Sequence, residues 1–510
     1  GGGSVWRGRH GARGEGSVPM NEQQLLSSLK SAGELLGSGN SAGALRLCEG
    51  VMAISPDHPI ATTLAGFALL ELSDLAAAKR YFKGSLEFSP NNLNAHFGLA
   101  KVLESERFFS EAASHYQRVY ESQPEHNAAK VGFANCCVGL GRFTEALRLF
   151  DELLHSTQDP HLHRNLAIAY LEQNELTKAE RHLMRLKAVL PSDKDMQSQL
   201  ATVLLKQERF TEGWPFYESR VNNFFQNHER LLPELPMWNG SSREDLFVWS
   251  EEGAGDVAMF ASVLPQILQS SASVTLMVEA RFHELFRRSF GSSLTFISQE
   301  ATASVADHNR FSARASMATC MKYFRQTSED FSCSDAGYLL PDKQRAARYR
   351  KTLLAASGNQ PLVAISWCSF SEENGEVRSI SLSQLLAALP IDGVRAVNFQ
   401  YGSVDAELSD ARAQGFEVLE VPELDTTQDI DGVIAAMSAC DYVVSIDNTA
   451  AHLAGALGMR QAVLLPFCCN WRWGHGRSRS LLYRQTTILQ QSLFGDWCAP
   501  LSRLSDIIVP

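Results

Sequence analysis

AKRYFKGSLEFSP, residues 78–90, has three echoes in the chain: ALRLCEGVMAISP at 44–56, AASHYQRVYESQP at 112–124 and AERHLMRLKAVLP at 179–191. Each copy runs from an alanine, through an apolar or aromatic residue four positions on, to a proline. The alanine phase also takes in Ala146 and ends on Gly213, so that the steps from Ala44 are 34, 34, 34, 33 and 34 residues. The partners four positions on are Cys48, Phe82, Tyr116, Phe150, Leu183 and Tyr217. A period this regular marks stacked supersecondary units. A pair of antiparallel helices cannot bury its apolar face alone. Stacking about six pairs buries a continuous core and leaves a concave groove.

The phase resembles the tetratricopeptide repeat. That repeat has a small residue where two helices touch, a large one four positions on and a proline in the turn. Gly66 matches the small residue of its first helix, while its tryptophan is not kept. The expected array covers 21–225, with a protein or peptide partner in its groove. A spacer that only positions the second half is the alternative.

Bulk properties narrow the field. The 510 residues are 45% hydrophobic and 20% charged, with a net charge of -11. That length suggests about three domains, and the negative charge argues against nucleic acid as a partner. No run reaches the ~18 apolar residues of a transmembrane segment. The ten cysteines form no C-x-x-C pair and are expected to be reduced thiols in a cytoplasmic protein. The Gly- and Arg-rich start lacks the apolar stretch of a secretory signal. Disorder is expected over 1–20, with Met20 a candidate natural start.

The array breaks at GWPFYESRVNNFF (213–225), and HERLLPELPMWNGSSRED (228–245) reads as a linker. Apolar runs then alternate with helical patterns. LFVWS (246–250), SVTLMVE (273–279) and SLTFIS (293–298) are expected strands, with helices at 257–268 and 280–290. Residues 299–360 resist assignment. A second series follows: LVAISW (362–367), AVNFQ (396–400), EVLEV (417–421), DYVVSI (441–446) and QAVLLP (461–466), with helices between them. This order predicts parallel sheets covered by helices, in two lobes at 226–345 and 346–510. A ligand would sit at the strands' carboxyl ends.

One such end is SIDNTAAHLAGALG (445–458). Asp447, Asn448 and Thr449 follow a strand and open a helix carrying His452. Free N–H groups there favour an anion such as a diphosphate. Asp447 can orient a ribose hydroxyl or cap the helix. An N-cap plus a core histidine is the plain alternative.

The second half resembles the nucleotide-sugar glycosyltransferases of the GT-B fold. Among them it is most similar to glycosyltransferase family 9 (heptosyltransferase-like), and the combined architecture is similar to the family 41 O-GlcNAc transferases. The matching strings are EGWPFYESR, MWNG (237–240), EEGAGD (251–256), RSISL (378–382), SIDNTAAHLAGALG and NWRWG (470–474). The resemblance implies an α-solenoid followed by two Rossmann-like lobes, and an inverting transfer from a nucleotide sugar. It makes Asp256 the base, with Gly253 and Gly255 in the acceptor loop. Arg378 would hold the diphosphate, with Ser366, Ser369, Gln400, Asp447, Asn448, Thr449 and His452 lining the donor site. No metal or cofactor is implied. Asp-x-Asp at Asp193–Asp195 and at Asp429–Asp431 reads as a repeat turn and a helix cap.

The chain also departs from those families. SWCSF (366–370) replaces a glycine-containing loop, Asn470 replaces an acid, and SLLYRQTTILQQ (480–491) lacks two prolines and a tryptophan. A non-catalytic repeat adaptor with a degenerate transferase-like domain is therefore the competing reading. A dinucleotide oxidoreductase is disfavoured, because EEGAGD lacks a third glycine.

Overall fold

The computed structural model describes residues 22–220, 232–251, 253–299, 310–331, 337–371 and 375–508. The expected disorder over 1–20, the end of the array break at 221–225 and the first residues of the linker, 228–231, lie outside them. The chain divides into two compact units, 1–162 and 163–510.

The first unit is built of antiparallel helix pairs: α1 (Glu22–Gly37) with α2 (Ser41–Met52), α3 (Pro59–Glu71) with α4 (Leu75–Phe88), α5 (Leu93–Ser105) with α6 (Phe109–Ser122), and α7 (Asn127–Gly139) with α8 (Phe143–Thr157). Ala44, Ala78, Ala112 and Ala146 lie on the second helix of each pair and are completely buried. The residue four positions on fills a hole left by glycine. A Cβ on Gly66 would lie 2.7 Å from the Phe82 ring, and one on Gly98 only 2.2 Å from it. Gly132 leaves the same room for Tyr116, at 2.3 Å. The period is thus a knob-and-hole repeat between successive pairs.

The turn inside each pair keeps the phase too. Gly39, Ser73, Arg107 and Gly141 have φ of +79°, +64°, +63° and +73°. Two of the four positions use glycine, which enters this region without a Cβ clash. Asn40 and Asp74 follow their turns as N-caps, accepting from Gly43 N at 3.0 Å and Ala77 N at 2.9 Å.

The second unit takes in two further pairs: α9 (Leu162–Glu172) with α10 (Leu176–Val189), and α11 (Lys194–Lys206) with α12 (Phe210–Tyr217). Helix α12 ends the array by burying Phe210, Trp214 and Tyr217 against α/β structure. The Trp214 indole donates to the Arg325 carbonyl at 2.6 Å. Its ring stands edge-on to Trp471, with centroids 5.5 Å apart.

Two parallel sheets follow. The first has the order β3-β2-β1-β4, from β1 (Asp245–Trp249), β2 (Ser273–Val278), β3 (Leu294–Ser298) and β4 (Ala313–Ser316). The second has the order β10-β9-β8-β5-β6-β7. Its strands are β5 (Leu362–Ser366), β6 (Arg395–Asn398), β7 (Val418–Glu420), β8 (Tyr442–Ile446), β9 (Gln461–Leu465) and β10 (Thr486–Gln490). Strands β5, β8 and β9 are buried along their whole length, which reflects helices on both faces. The chain winds outward from β5 through β7, then returns to β8 and winds the other way. The switch point is the gap between the carboxyl ends of β5 and β8.

The stretch that resisted assignment holds β4, the helix Met317–Phe324 and the helix Lys343–Ala356. β4 reads ARAS, too short and polar to stand out, yet it is buried throughout. The single helix expected over 257–268 is two, Ala254–Phe260 and Leu264–Ser270, joined by a 3-10 turn. Pro265 lies in the first turn of the second, where a missing N–H is harmless.

Candidate functional site

The carboxyl edge of the second sheet is organised by amide side chains. Ser366 ends β5 and donates to Gln400 Oε1 at 3.0 Å. That oxygen also accepts the backbone N–H groups of Trp367 (2.8 Å) and Cys368 (2.9 Å). Gln400 Nε2 donates to the Cys368 and Tyr401 carbonyls at 3.0 and 3.1 Å. Gln400 is thus a clamp on the loop after β5, with its amide fully engaged by backbone and Ser366. Ser369, in the same loop, accepts from Ser371 N at 3.3 Å and donates its own N–H to Ser379 at 3.0 Å.

Across the switch point, Asn448 caps the helix Thr449–Ala456 by accepting from Ala450 N at 3.0 Å. Its Nδ2 donates to Ser366 Oγ at 2.7 Å. The capping residue therefore also ties β8 to β5. Asp447 is 4% exposed. Its Oδ1 accepts the Trp473 indole N–H at 2.7 Å, and Arg378 lies 3.6 Å from its Oδ2. Arg378 Nη1 also approaches the Asp447 carbonyl at 3.3 Å.

His452 is buried behind this layer. Its Nδ1 lies 2.9 Å from the Tyr483 hydroxyl, and its ring stacks on Trp473. Desolvation pushes its pKa down to about 3, against the pull of Asp447, so the imidazole is neutral at pH 7. Gly455 makes room for this packing. A Cβ there would lie 2.3 Å from the Tyr483 ring, so the small residue accommodates an aromatic neighbour.

The helix Ala254–Phe260 brings the other half of the candidate residues. Gly253 is its N-cap, with open space where a Cβ would stand. A Cβ on Gly255 would lie 3.1 Å from His452 Cδ2 and 3.2 Å from Thr449 Cα. Its smallness lets the helix meet the Thr449–Ala456 helix. Segment 337–339 stitches the two together: Tyr338 and Leu339 donate to the Ala456 carbonyl at 2.8 and 3.0 Å, and the Tyr338 hydroxyl donates to Ala258 O at 2.8 Å. Asp256, on the first turn, pairs with Arg472 at 2.5 Å. Arg472 stands between Trp471 and Trp473, both buried.

Arg378, Asp447, Asn448, Thr449 and His452 therefore gather at the carboxyl edge of the second sheet, and Asp256, on the helix after β1, is joined to them through Arg472 and Trp473, from positions far apart in sequence. Arg472 was noted in sequence only as part of NWRWG. Asp193 and Asp429 cap helices, at 2.7 Å from Met196 N and 2.8 Å from Gly432 N. Among the described residues no three His, Cys, Asp or Glu side chains are grouped to hold a metal ion. No described helix is long and apolar enough to cross a membrane.

The first unit has its own cleft, of about 550 Å³, lined by Phe97, Lys101, Glu104, Tyr116, Asn135 and Leu153 among others. Burial pushes the Glu104 carboxyl up, against hydrogen bonds from the Tyr116 hydroxyl (2.6 Å) and Asn135 (3.1 Å).

The tetratricopeptide-repeat family matches the chain at residues 63–127 and 138–194, and a second description of that repeat matches at 105–164. Protein FlbA of Caulobacter vibrioides is 29% identical over 443 residues, 82% of this chain and 74% of that protein. That span exceeds the helical repeats, so the likeness runs into the α/β part. A protein adenylyltransferase Fic of Culex quinquefasciatus is 40% identical over 76 residues, 15% of each chain. Among solved structures, a thermophilic TPR protein of Thermus thermophilus is similar over 36% of this chain and 99% of its own, at 20% identity with a TM-score of 0.31. The helical pairs of the first half are tetratricopeptide repeats, a module suited to protein–protein interaction.

Proposed function

We propose that the α/β part is a GT-B-like domain that binds a nucleotide sugar at the carboxyl edge of the second sheet. It transfers the sugar, with inversion, to an acceptor recruited by the repeats. The observation that carries this reading is the convergence of Asp256, Arg378, Asp447 and the Thr449–Ala456 helix end at a topological switch point. In the reaction, the acceptor hydroxyl oxygen bonds to the anomeric carbon as the bond from that carbon to the diphosphate breaks. The hydroxyl proton passes to Asp256, a carboxylate on the acceptor side. The leaving electron pair stays on the diphosphate, which Arg378 and the helix N-terminus stabilise without a metal. Gln400, Ser366 and Asn448 act as positioning residues that hold the donor loop.

Calorimetric titration with UDP, GDP, ADP and CMP tests this. One nucleoside diphosphate is expected to bind, at least tenfold more weakly to Arg378→Met. A well-folded wild type that binds none of them would support the adaptor. That reading draws on the full engagement of the Gln400 amide by its own loop.

A further inference from the structure

Arg472 occupies a revealing position. Its guanidinium meets Asp256 at 2.5 Å, with side-chain exposures of 14% and 19%. Trp473, the next residue, donates to Asp447, which in turn faces Arg378. The two arginines thus stand along one edge, each beside a carboxylate, and Arg472 holds Asp256 by the attraction of opposite charges, without a well-aligned hydrogen bond to its Oδ1. A carboxylate so held is poorly placed to accept a proton from an incoming hydroxyl.

We infer that Arg472 is a ligand-exchange residue, which holds Asp256 in the empty protein and turns to the diphosphate when the donor binds. This rests on the transferase reading above and adds to it an order of events. Two phosphate groups next to Arg378 offer Arg472 a counter-ion of higher charge than one carboxylate. Once Arg472 has moved, Asp256 is released toward the acceptor side, so the base becomes competent only with donor in place. The donor therefore binds before the acceptor. Linkage makes the coupling reciprocal: whatever removes Asp256 as a competitor must strengthen diphosphate binding.

That consequence has an unusual sign. Losing the proposed catalytic base should tighten the affinity for the product nucleotide. The experiment is calorimetry with the nucleoside diphosphate that the wild type binds, on wild type, Asp256→Asn, Asp256→Ala and Arg472→Met, each checked for its helical circular-dichroism signal. The expected result is affinity about tenfold tighter for both Asp256 variants and about tenfold weaker for Arg472→Met. Asp256→Ala guards against an amide that still bonds the guanidinium. Unchanged or weaker binding by both Asp256 variants overturns the exchange while leaving the transferase reading standing. A wild type that binds no diphosphate overturns both.

Discussion

The two sheets begin with the same strand order, yet they treat their carboxyl edges differently. At the first, between β1 and β4, the polar groups are sealed. Glu251, 1% exposed, follows β1 and takes two bonds from the Arg220 guanidinium, at 3.0 and 2.5 Å. Ser316, at the end of β4, donates to Glu251 and caps the next helix at Thr319 N, 3.0 Å away. Arg220 comes from the chain just after α12, so this edge is plugged by the exit of the repeat array. At the second edge the inner layer of Ser366, Gln400 and Asn448 is closed, while Arg378 and Arg472 stay partly exposed in front of it. Similar topology thus yields an anchor in one sheet and a charged, reachable surface in the other. Both edges pair arginines with carboxylates, and the difference lies in burial: the Arg220–Glu251 pair is sealed on both sides, while Arg378 and Arg472 keep part of their surface.

Substitutions can break this contrast. Arg220→Met removes the guanidinium that neutralises the buried Glu251 and should cost about 3–5 kcal/mol. The urea midpoint of the tryptophan-fluorescence transition reads it, and a loss under about 1 kcal/mol would refute the anchor. Asn448→Ala removes a helix cap and the bond to Ser366. It should cost about 1–2 kcal/mol in the same measurement.

Acid should weaken the second edge through His452. Its folded pKa, about 3, lies below its unfolded value, so the unfolded chain binds the extra proton first. The stability this contributes is full above the unfolded pKa and falls away as pH drops toward 3. Replacing His452 by Phe should flatten urea midpoints measured between pH 7 and 4, and an unchanged slope would count against it. The smallest effect on stability belongs to Arg378→Met, below about 1 kcal/mol for a partly exposed pair, although that variant should lose diphosphate binding.

The repeat phase was legible because stacking imposes it on one residue type at a time. Ala78 and Phe82 carried it openly. The left-handed turn positions follow the same phase, but only Gly39 and Gly141 reveal it, because Ser73 and Arg107 accept the strained conformation without a marker. In the α/β part, the buried strands β5, β8 and β9 announced themselves as continuous apolar runs. β4 did not, because ARAS is held by pairing with β1 and by the Arg314 side chain donating to the Leu235 carbonyl at 3.1 Å, neither of which is local. TTILQ is a readable strand, β10, that was treated only as a departure from a motif. At the site, the residue types at 447–452 were legible from their place after a strand. The Arg472 contact was not, since Asp256 lies more than two hundred residues earlier. Nor was the full engagement of Gln400, which depends on where the loop after β5 folds back.

The most direct measurement is hydrogen exchange, read by mass spectrometry, with and without a saturating nucleoside diphosphate. The account predicts slowed exchange at 366–371, 447–452 and 470–474 along the second sheet edge, with none at 245–251 or 313–316. Protection confined to the first edge, or absent from both, would contradict it.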